Sequence, residues 1–487
     1  MPVITNCITS TLEPYVPSTE NPWDEKKIRH AFRRIGYDAN KSMINNALQI
    51  SPSLFIDQLV NESLYASDWP TPVWANYNNE DYANLGLDFN EQTQANHKEL
   101  MLAVMDQMQT TGLKGRLIMF WSNHFVTRLE DYYLSNYLYE YYSIIEQHAF
   151  GNFQEFVRDI GLSSAMLVYL NGFENTNFSP NENYARELYE LFTLGVDNGY
   201  TQEDIVETSK ALTGYNHREN YNWSNPIYFE ASTFDNSEKT IFNQTGNWNY
   251  NDVIDILFQE RAPLIASHIC RKLYTHFVSA TVNEDIVSEM ATLFVQDFNI
   301  ANVLRTLFKS EHFFDHNAIG TQIMSPYDMT MSYLNITNFS LEQEFFEAMI
   351  YFNGVMGQQM FEPVDVAGWQ GDRDWINSST LTGRWEILQW TIWNTWNTNS
   401  EDFRTFAIES SNNSNDPYVV AKSIIDRFVP LELYTTEDYE AATDVLKHNL
   451  PENYYTNQIW NLQFDSVPYQ VVLLLLHLIK LPEFQLK

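Results

Sequence analysis

Residues 181–195 read NENYARELYELFTLG, and this segment decides the fold class. At 100° per residue, Ala185, Leu188, Tyr189, Leu191 and Phe192 fall on one arc. Glu182, Asn183, Arg186, Glu187, Glu190 and Thr193 fall on the other. That is an amphipathic helix. The same signals extend outward in both directions. Thr201, with Asp204 three residues on, opens a helix that runs to about Leu212. Upstream, LSNYLYEYYSIIEQHAF (134–150) is an aromatic-rich helix ending at Gly151, and 91–126 is helical with a break near Thr110-Thr111-Gly112. Ser51-Pro52 and Asp24 start earlier helices, the second carrying acids first and Arg later, as the helix dipole favours. Downstream, helical patterning covers about 251–352 and returns to the end of the chain.

Two stretches break the pattern. Residues 214–250 are rich in Asn, Tyr, Phe and Trp, and NPIYFEA within them suits short strands. Residues 356–384 are a second irregular block. The expectation is a mainly α chain: an extended arm over 1–23, then one large multi-helix domain over 24–487. It carries two long irregular insertions, about 214–250 and 356–384, and at most a small β element. Long irregular excursions are often functional.

Composition narrows the partners. Lys and Arg total 28 against 63 Asp and Glu, a formal net charge of −35. Nucleic acid needs basic surface to displace counterions from phosphate, so it is excluded as a partner. An anionic membrane surface is disfavoured on the same ground. Aromatics at 15% are too abundant for a disordered acidic chain. Cys7 and Cys270 are the only cysteines, which excludes a disulfide framework and a Cys-rich zinc site. A single Cys7–Cys270 bridge and two free thiols both remain open. The longest apolar run, Val471 to Ile479, is about half a membrane span, so no membrane insertion is expected. No signal-peptide pattern opens the chain. The expected location is cytoplasmic, with export alongside a partner as the alternative.

Several motifs resemble the bacterial family called domain of unknown function 1800. They are His30-Ala-Phe-Arg33-Arg34-Ile-Gly36, Phe120-Trp121-Ser-Asn123-His124-Phe125, Ala149-Phe-Gly151-Asn152-Phe153, and Asn181 through Gly195. Ala211-Leu-Thr213-Gly214-Tyr215, Phe361-Glu-Pro363, Val366-Ala-Gly368-Trp369 and Leu481-Pro482-Glu483-Phe484-Gln485 follow in the same order. Phe234-Asp235, with Lys239, departs from the family's His-Asp, and Val364 replaces a Pro. The resemblance implies no established activity. It does imply a protein partner, since members resemble companions of a sulfatase-like family.

Candidate chemistry centres on the 181–195 helix. Arg186 stands four residues from both Glu182 and Glu190 and can bridge them. Glu187 and Glu190 could offer oxygens to a divalent metal, with His124 supplying a nitrogen; no other cofactor is implied. The catalytic candidates are therefore Glu182, Arg186, Glu187, Glu190 and His124. A solvated helix face is the plain alternative for the first four, and a hydrogen-bonded core histidine for His124. Further candidates are His30, Arg33, Arg34, Thr213, Asp235 and Lys239, which would satisfy the polar face if it were buried, Asn183 on that face, left to meet a neighbour or ligand, and Asp365 and Trp369 in the second irregular block. A buried Arg186 would cost on the order of 3–5 kcal/mol to remove. Tyr215, Tyr221, Trp223, Trp248, Trp369 and Trp375 fit either a sugar-binding cleft or the pinning of long loops to the core. Asp365, Asp372 and Asp374 lack the spacing of a Ca²⁺ loop. No Gly-x-Ser-x-Gly elbow, Walker loop or dinucleotide fingerprint is present. Three functions fit these residues. The first is a binding or scaffold component acting with a sulfatase-like partner on a polymeric or carbohydrate substrate. The second is a hydrolase using the Glu/Arg/His site, and the third is a structural subunit of a larger assembly.

Overall fold

The computed structural model describes residues 11–448 and 450–487. Cys7 lies outside them, while Cys270 is buried in the core. Among the described residues there are 23 α-helices and two two-stranded antiparallel sheets. The local signals act as expected. Asp24 accepts from Lys27 N to cap Glu25–Ile35, Ser51 caps Pro52–Leu64, and Thr201 and Asp204 form a capping box on Gln202–Ala211. The break in the long segment falls at Thr111-Gly112, between Phe89–Thr110 and Leu113–His124, where Gly112 takes φ +39°. No helix among the described residues is long and apolar enough to cross a membrane.

The first insertion holds all the named strands. Tyr215–Arg218 (β1) pairs with Ile227–Phe229 (β2), and Lys239–Ile241 (β3) with Gln244–Gly246 (β4). Phe242 and Asn243 close the second hairpin with φ of 48° and 66°, the left-handed pair whose twist matches the strands. The second insertion is shorter than expected. Asn377 and Thr380 form a capping box, so the following helix, Ser378–Asn399, begins six residues before 384. The described part of the N-terminal arm is not loose. Leu12 and Tyr15 are buried, Pro14 bridges Ser310, and Tyr15 N donates to Lys309 O at 2.8 Å.

One apolar cluster runs through the molecule from Leu12 to Phe484. Inside it lies a buried polar hub. Asp328 pairs with Arg116 at 2.7 Å and with Lys487, its carboxylate accepts from Ser325 N at 3.0 Å, and its own N–H donates to Ser325 Oγ at 3.1 Å. Arg116 also donates to Gly36 O and Arg33 O, and its guanidinium lies 4.4 Å from the Tyr37 ring. Arg34 donates to Gln322, Ala318 O at 3.1 Å and Thr321 at 3.1 Å. Arg384 donates to Met324 O at 2.6 Å and to Gln485 at 3.2 Å. The hub thus joins the first helix, Leu113–His124, Pro326–Thr337, Ser378–Asn399 and the last residues.

Burial alone would raise the Asp328 carboxyl, but Arg116 and Lys487 hold it far below the usual carboxylate range. Its folded pKa being depressed, its contribution is complete above the unfolded value near 4 and is lost as pH falls towards the folded one. We expect Asp328→Asn to cost about 3–5 kcal/mol, because it strands buried cations. Guanidinium denaturation should show that gap undiminished from pH 7 down to pH 5. A variant as stable as the wild type would mean that the hub contributes nothing.

Candidate functional site

The 181–195 segment begins as the α-helix Asn183–Glu187 and widens into a π-helix over Leu188–Thr193. Leu194 N donates to Tyr189 O at 2.8 Å, five residues back, and the Thr193 hydroxyl takes Leu188 O. A π-turn is a costly departure that is frequent at functional sites. The apolar arc packs as expected, with Ala185, Leu188, Tyr189 and Phe192 buried.

The polar arc behaves differently. Arg186 does bridge Glu182 and Glu190, each at 3.3 Å, and also donates to Gln202 at 3.0 Å. Its side chain is 36% exposed. The polar face is therefore partly buried, as expected, but its Arg186 network is open to water, which screens the pairs. Glu187 is half-buried, and burial followed by the charge of Glu190 raises its carboxyl. Asn183 donates to Leu170 O at 3.0 Å and fixes the start of the helix.

The other sequence candidates do not surround this face. His30 sits against Phe313 O at 2.9 Å, and burial lowers its imidazole to about 3. Arg33 pairs with Asp38 at 2.6 Å, and Arg34 belongs to the hub. Thr213, Asp235 and Lys239 do come together, but as a loop lock. Asp235 N donates to Thr213 Oγ1 at 2.8 Å, and buried Lys239 donates to Asp235 O at 2.6 Å and Ser237 O at 2.8 Å. The Phe234 ring lies 5.1 Å from the Lys239 ammonium. His124 is buried with both nitrogens engaged, by Phe192 O and Lys272 at 3.1 Å each. It is thus not aimed at Glu187 or Glu190, and among the described residues no group of three His, Cys, Asp or Glu is placed to hold a metal.

The second insertion meets this region through Asn123. Its side-chain amide accepts from Trp369 N at 2.6 Å and donates to Trp369 O at 3.1 Å. Gly368 permits the approach: it has φ +78°, and a Cβ there would lie 2.3 Å from Asn123 Oδ1. Asp365 caps its own turn, accepting from Ala367 N at 2.9 Å. Glu362 clamps Arg128 at 3.2 Å and Glu130 N at 2.9 Å, and burial raises its carboxyl against the pull of Arg128. The Tyr169 phenol, pushed up to about 12 by burial, feels the charges of Arg128, Asp131, Asp365 and Glu187 together. The helix and the second insertion therefore do converge, around Tyr169, a residue that the sequence did not mark.

A second feature lies on the first insertion. Trp248, Trp369 and Trp375 pack against the core, as loop-pinning aromatics do. Tyr221, Trp223 and Tyr228 do not: they are 93%, 53% and 52% exposed. Tyr228 stands opposite His217 across β1 and β2, and the His217 ring is 6.3 Å from that of Tyr221. Asn220 and Tyr221 both take left-handed φ, 54° and 56°. Such a conformation costs a bulky residue energy and persists only where its surroundings over-determine it. An amide network does so here. Asn222 and Ser224 donate to Asn79 at 2.8 and 2.7 Å, Asn78 to Asn225 at 2.8 Å, and Asn136 to Ser224 O at 2.9 Å.

A family model described as protein of unknown function (DUF1800) matches residues 30–486. The chain belongs to this DUF1800 family. Neither curated proteins nor solved structures give a match. The family match spans the π-turn, both insertions and the hub except for Lys487.

Two substitutions test the geometry by denaturation. Arg186→Ala should cost less than about 1 kcal/mol, the range of a solvent-screened pair. Gly368→Ala should cost on the order of 1–3 kcal/mol, through its left-handed backbone and the clash with Asn123. The reverse order of effects would show that the helix face, not the Asn123–Trp369 clasp, bears the load.

Proposed function

We propose that this DUF1800 protein is a binding component that takes a neutral polysaccharide on the aromatic platform of its first insertion. In this reading it acts beside the sulfatase-like partner that the sequence resemblance implies. The observation that carries the reading is Tyr221, almost wholly exposed on a left-handed backbone that an amide network holds in place. Sugar rings stack on flat apolar faces, and a platform fixed before binding loses little entropy when a ligand arrives. Asn, Ser and Glu side chains beside it suit sugar hydroxyls. Glu230, 3.6 Å from His217, is the nearest such acid. A net charge of −35 repels polyanions, so the neutral polymer is favoured over a sulfated one.

The hydrolase reading rests on a different observation, the raised carboxyl of Glu187, whose charge reaches the Tyr169 phenol. A carboxyl whose proton is held more firmly than usual is what a general acid needs.

Affinity electrophoresis through gels holding neutral or sulfated polysaccharides separates these readings. The wild type should be retarded by at least one neutral polymer. Tyr221→Ala and Trp223→Ala together should abolish the retardation and leave the circular dichroism unchanged. Retardation by no neutral polymer, or retardation that survives the double substitution, would overturn the binding proposal. Release of new reducing ends from the same polymers, lost in Glu187→Gln, would instead support the hydrolase.

A further inference from the structure

The last carbonyls of the π-turn, those of Leu191 and Phe192, accept hydrogen bonds from side chains. His124 Nε2 lies 3.1 Å from Phe192 O, so that nitrogen carries the proton and donates. Its Nδ1 is left as an acceptor, 3.1 Å from Lys272 Nζ. Lys272 also donates to Leu191 O at 3.4 Å, an oxygen that His268 Nε2 approaches at 3.4 Å as well. Lys272 and His268 are one turn apart on the helix Tyr250–Phe277, which therefore lays both side chains along the π-turn. The residue keeps some surface exposure.

The arrangement has the parts of an activated nucleophile: an amine, a base within hydrogen-bond reach of it, and a third group that orients the base. The amine is Lys272, the base His124 Nδ1, and the orienting group Phe192 O. We propose that Lys272 is a nucleophilic amine with His124 as its proton acceptor, and that this site takes an aldehyde or ketone as an imine.

The step balances without an oxidant or reductant. The Lys272 lone pair adds to the carbonyl carbon, and the C=O electron pair moves to oxygen. One amine proton passes to His124 Nδ1 and is returned to that oxygen, giving a carbinolamine. The nitrogen lone pair then closes C=N as the C–O bond breaks, the remaining amine proton passes to the departing oxygen, water leaves, and a neutral imine remains.

Electrostatics favours the neutral amine. Desolvation lowers the Lys272 ammonium to about 8, and among the described residues no carboxylate opposes it. Burial holds His124 far below its usual range whatever the state of Lys272, so its Nδ1 is a weak base that takes the proton only in passing it to the oxygen. His268 is lowered to about 4 by burial, then by Lys272 and Arg271, so it remains a neutral donor. An amine of this kind is neutral at pH 7 far more often than an ordinary lysine.

Reductive methylation reads this directly. The intact protein is treated at pH 7 with limiting formaldehyde and cyanoborohydride, and each lysine is followed by peptide mass spectrometry. Lys272 should be methylated about tenfold faster than exposed Lys480, with the advantage shrinking as the pH approaches 10. Equal or slower labelling of Lys272 in the wild type would overturn the proposal by itself, whatever any variant does. His124→Gln, checked for unchanged circular dichroism, should remove most of the advantage while Lys480 labels as before. An unchanged advantage in that variant would overturn the role of His124.

Discussion

Asp328 is a single buried carboxylate on which cations from distant parts of the chain converge. Removing charged groups from water is expensive, and their mutual attraction offsets the cost only when the geometry is good and the remaining polar atoms are satisfied. Arg116 and Lys487 meet Asp328 directly, while Arg34 and Arg384 stand close by and spend their donors on carbonyls and amides. The constraint is directional, unlike the apolar contacts around it. It fixes how the first helix, the Leu113–His124 helix and the final residues lie relative to one another. The Leu113–His124 helix ends in Asn123 and His124, so the hub at one end of that helix sets the position of the second insertion and of the π-turn at the other.

From that helix the structure branches. Asn123 clasps the backbone of Trp369 and brings in the second insertion. His124 holds the π-turn and, through it, Lys272. The first insertion is secured separately, by the amides of Asn78, Asn79, Asn136, Asn222 and Asn225 acting on one another and on main chain. Irregular chain is ordered here by side-chain amides in the way that ladders order strands, and that leaves its large aromatics available to solvent.

What could be read in the sequence was what is local. Caps at Asp24, Ser51 and Thr201 announce themselves within four residues, and so does the break at Gly112. Both insertions were visible as losses of helical period, and the short strands fell inside the first. The hub was illegible because Arg116 and Asp328, or Asp328 and Lys487, are linked only through the finished fold. The polar arc of the 181–195 segment shows the same limit: Arg186 finds both its carboxylates, since i and i+4 spacing is local, but no periodicity says whether water or protein lies beyond. Lys272 gave no signal, as one lysine in a long amphipathic helix, and the π-turn beside it depends on a Thr193 hydroxyl bond that spacing does not encode. Trp223 and Trp248 have alike neighbours in sequence and opposite fates in space.

The pairing of Lys487 with Asp328 spans 159 residues, and this sets an order on biosynthesis. At the usual pace of translation, Asp328 leaves the peptidyl-transferase centre roughly 8–30 s before its last partner is added. For that interval the carboxylate has only part of its eventual counter-charge, and the surrounding helices have no reason to exclude water from it. The emerging chain is thus held short of its final dry state until Lys487 arrives to complete the counter-charge.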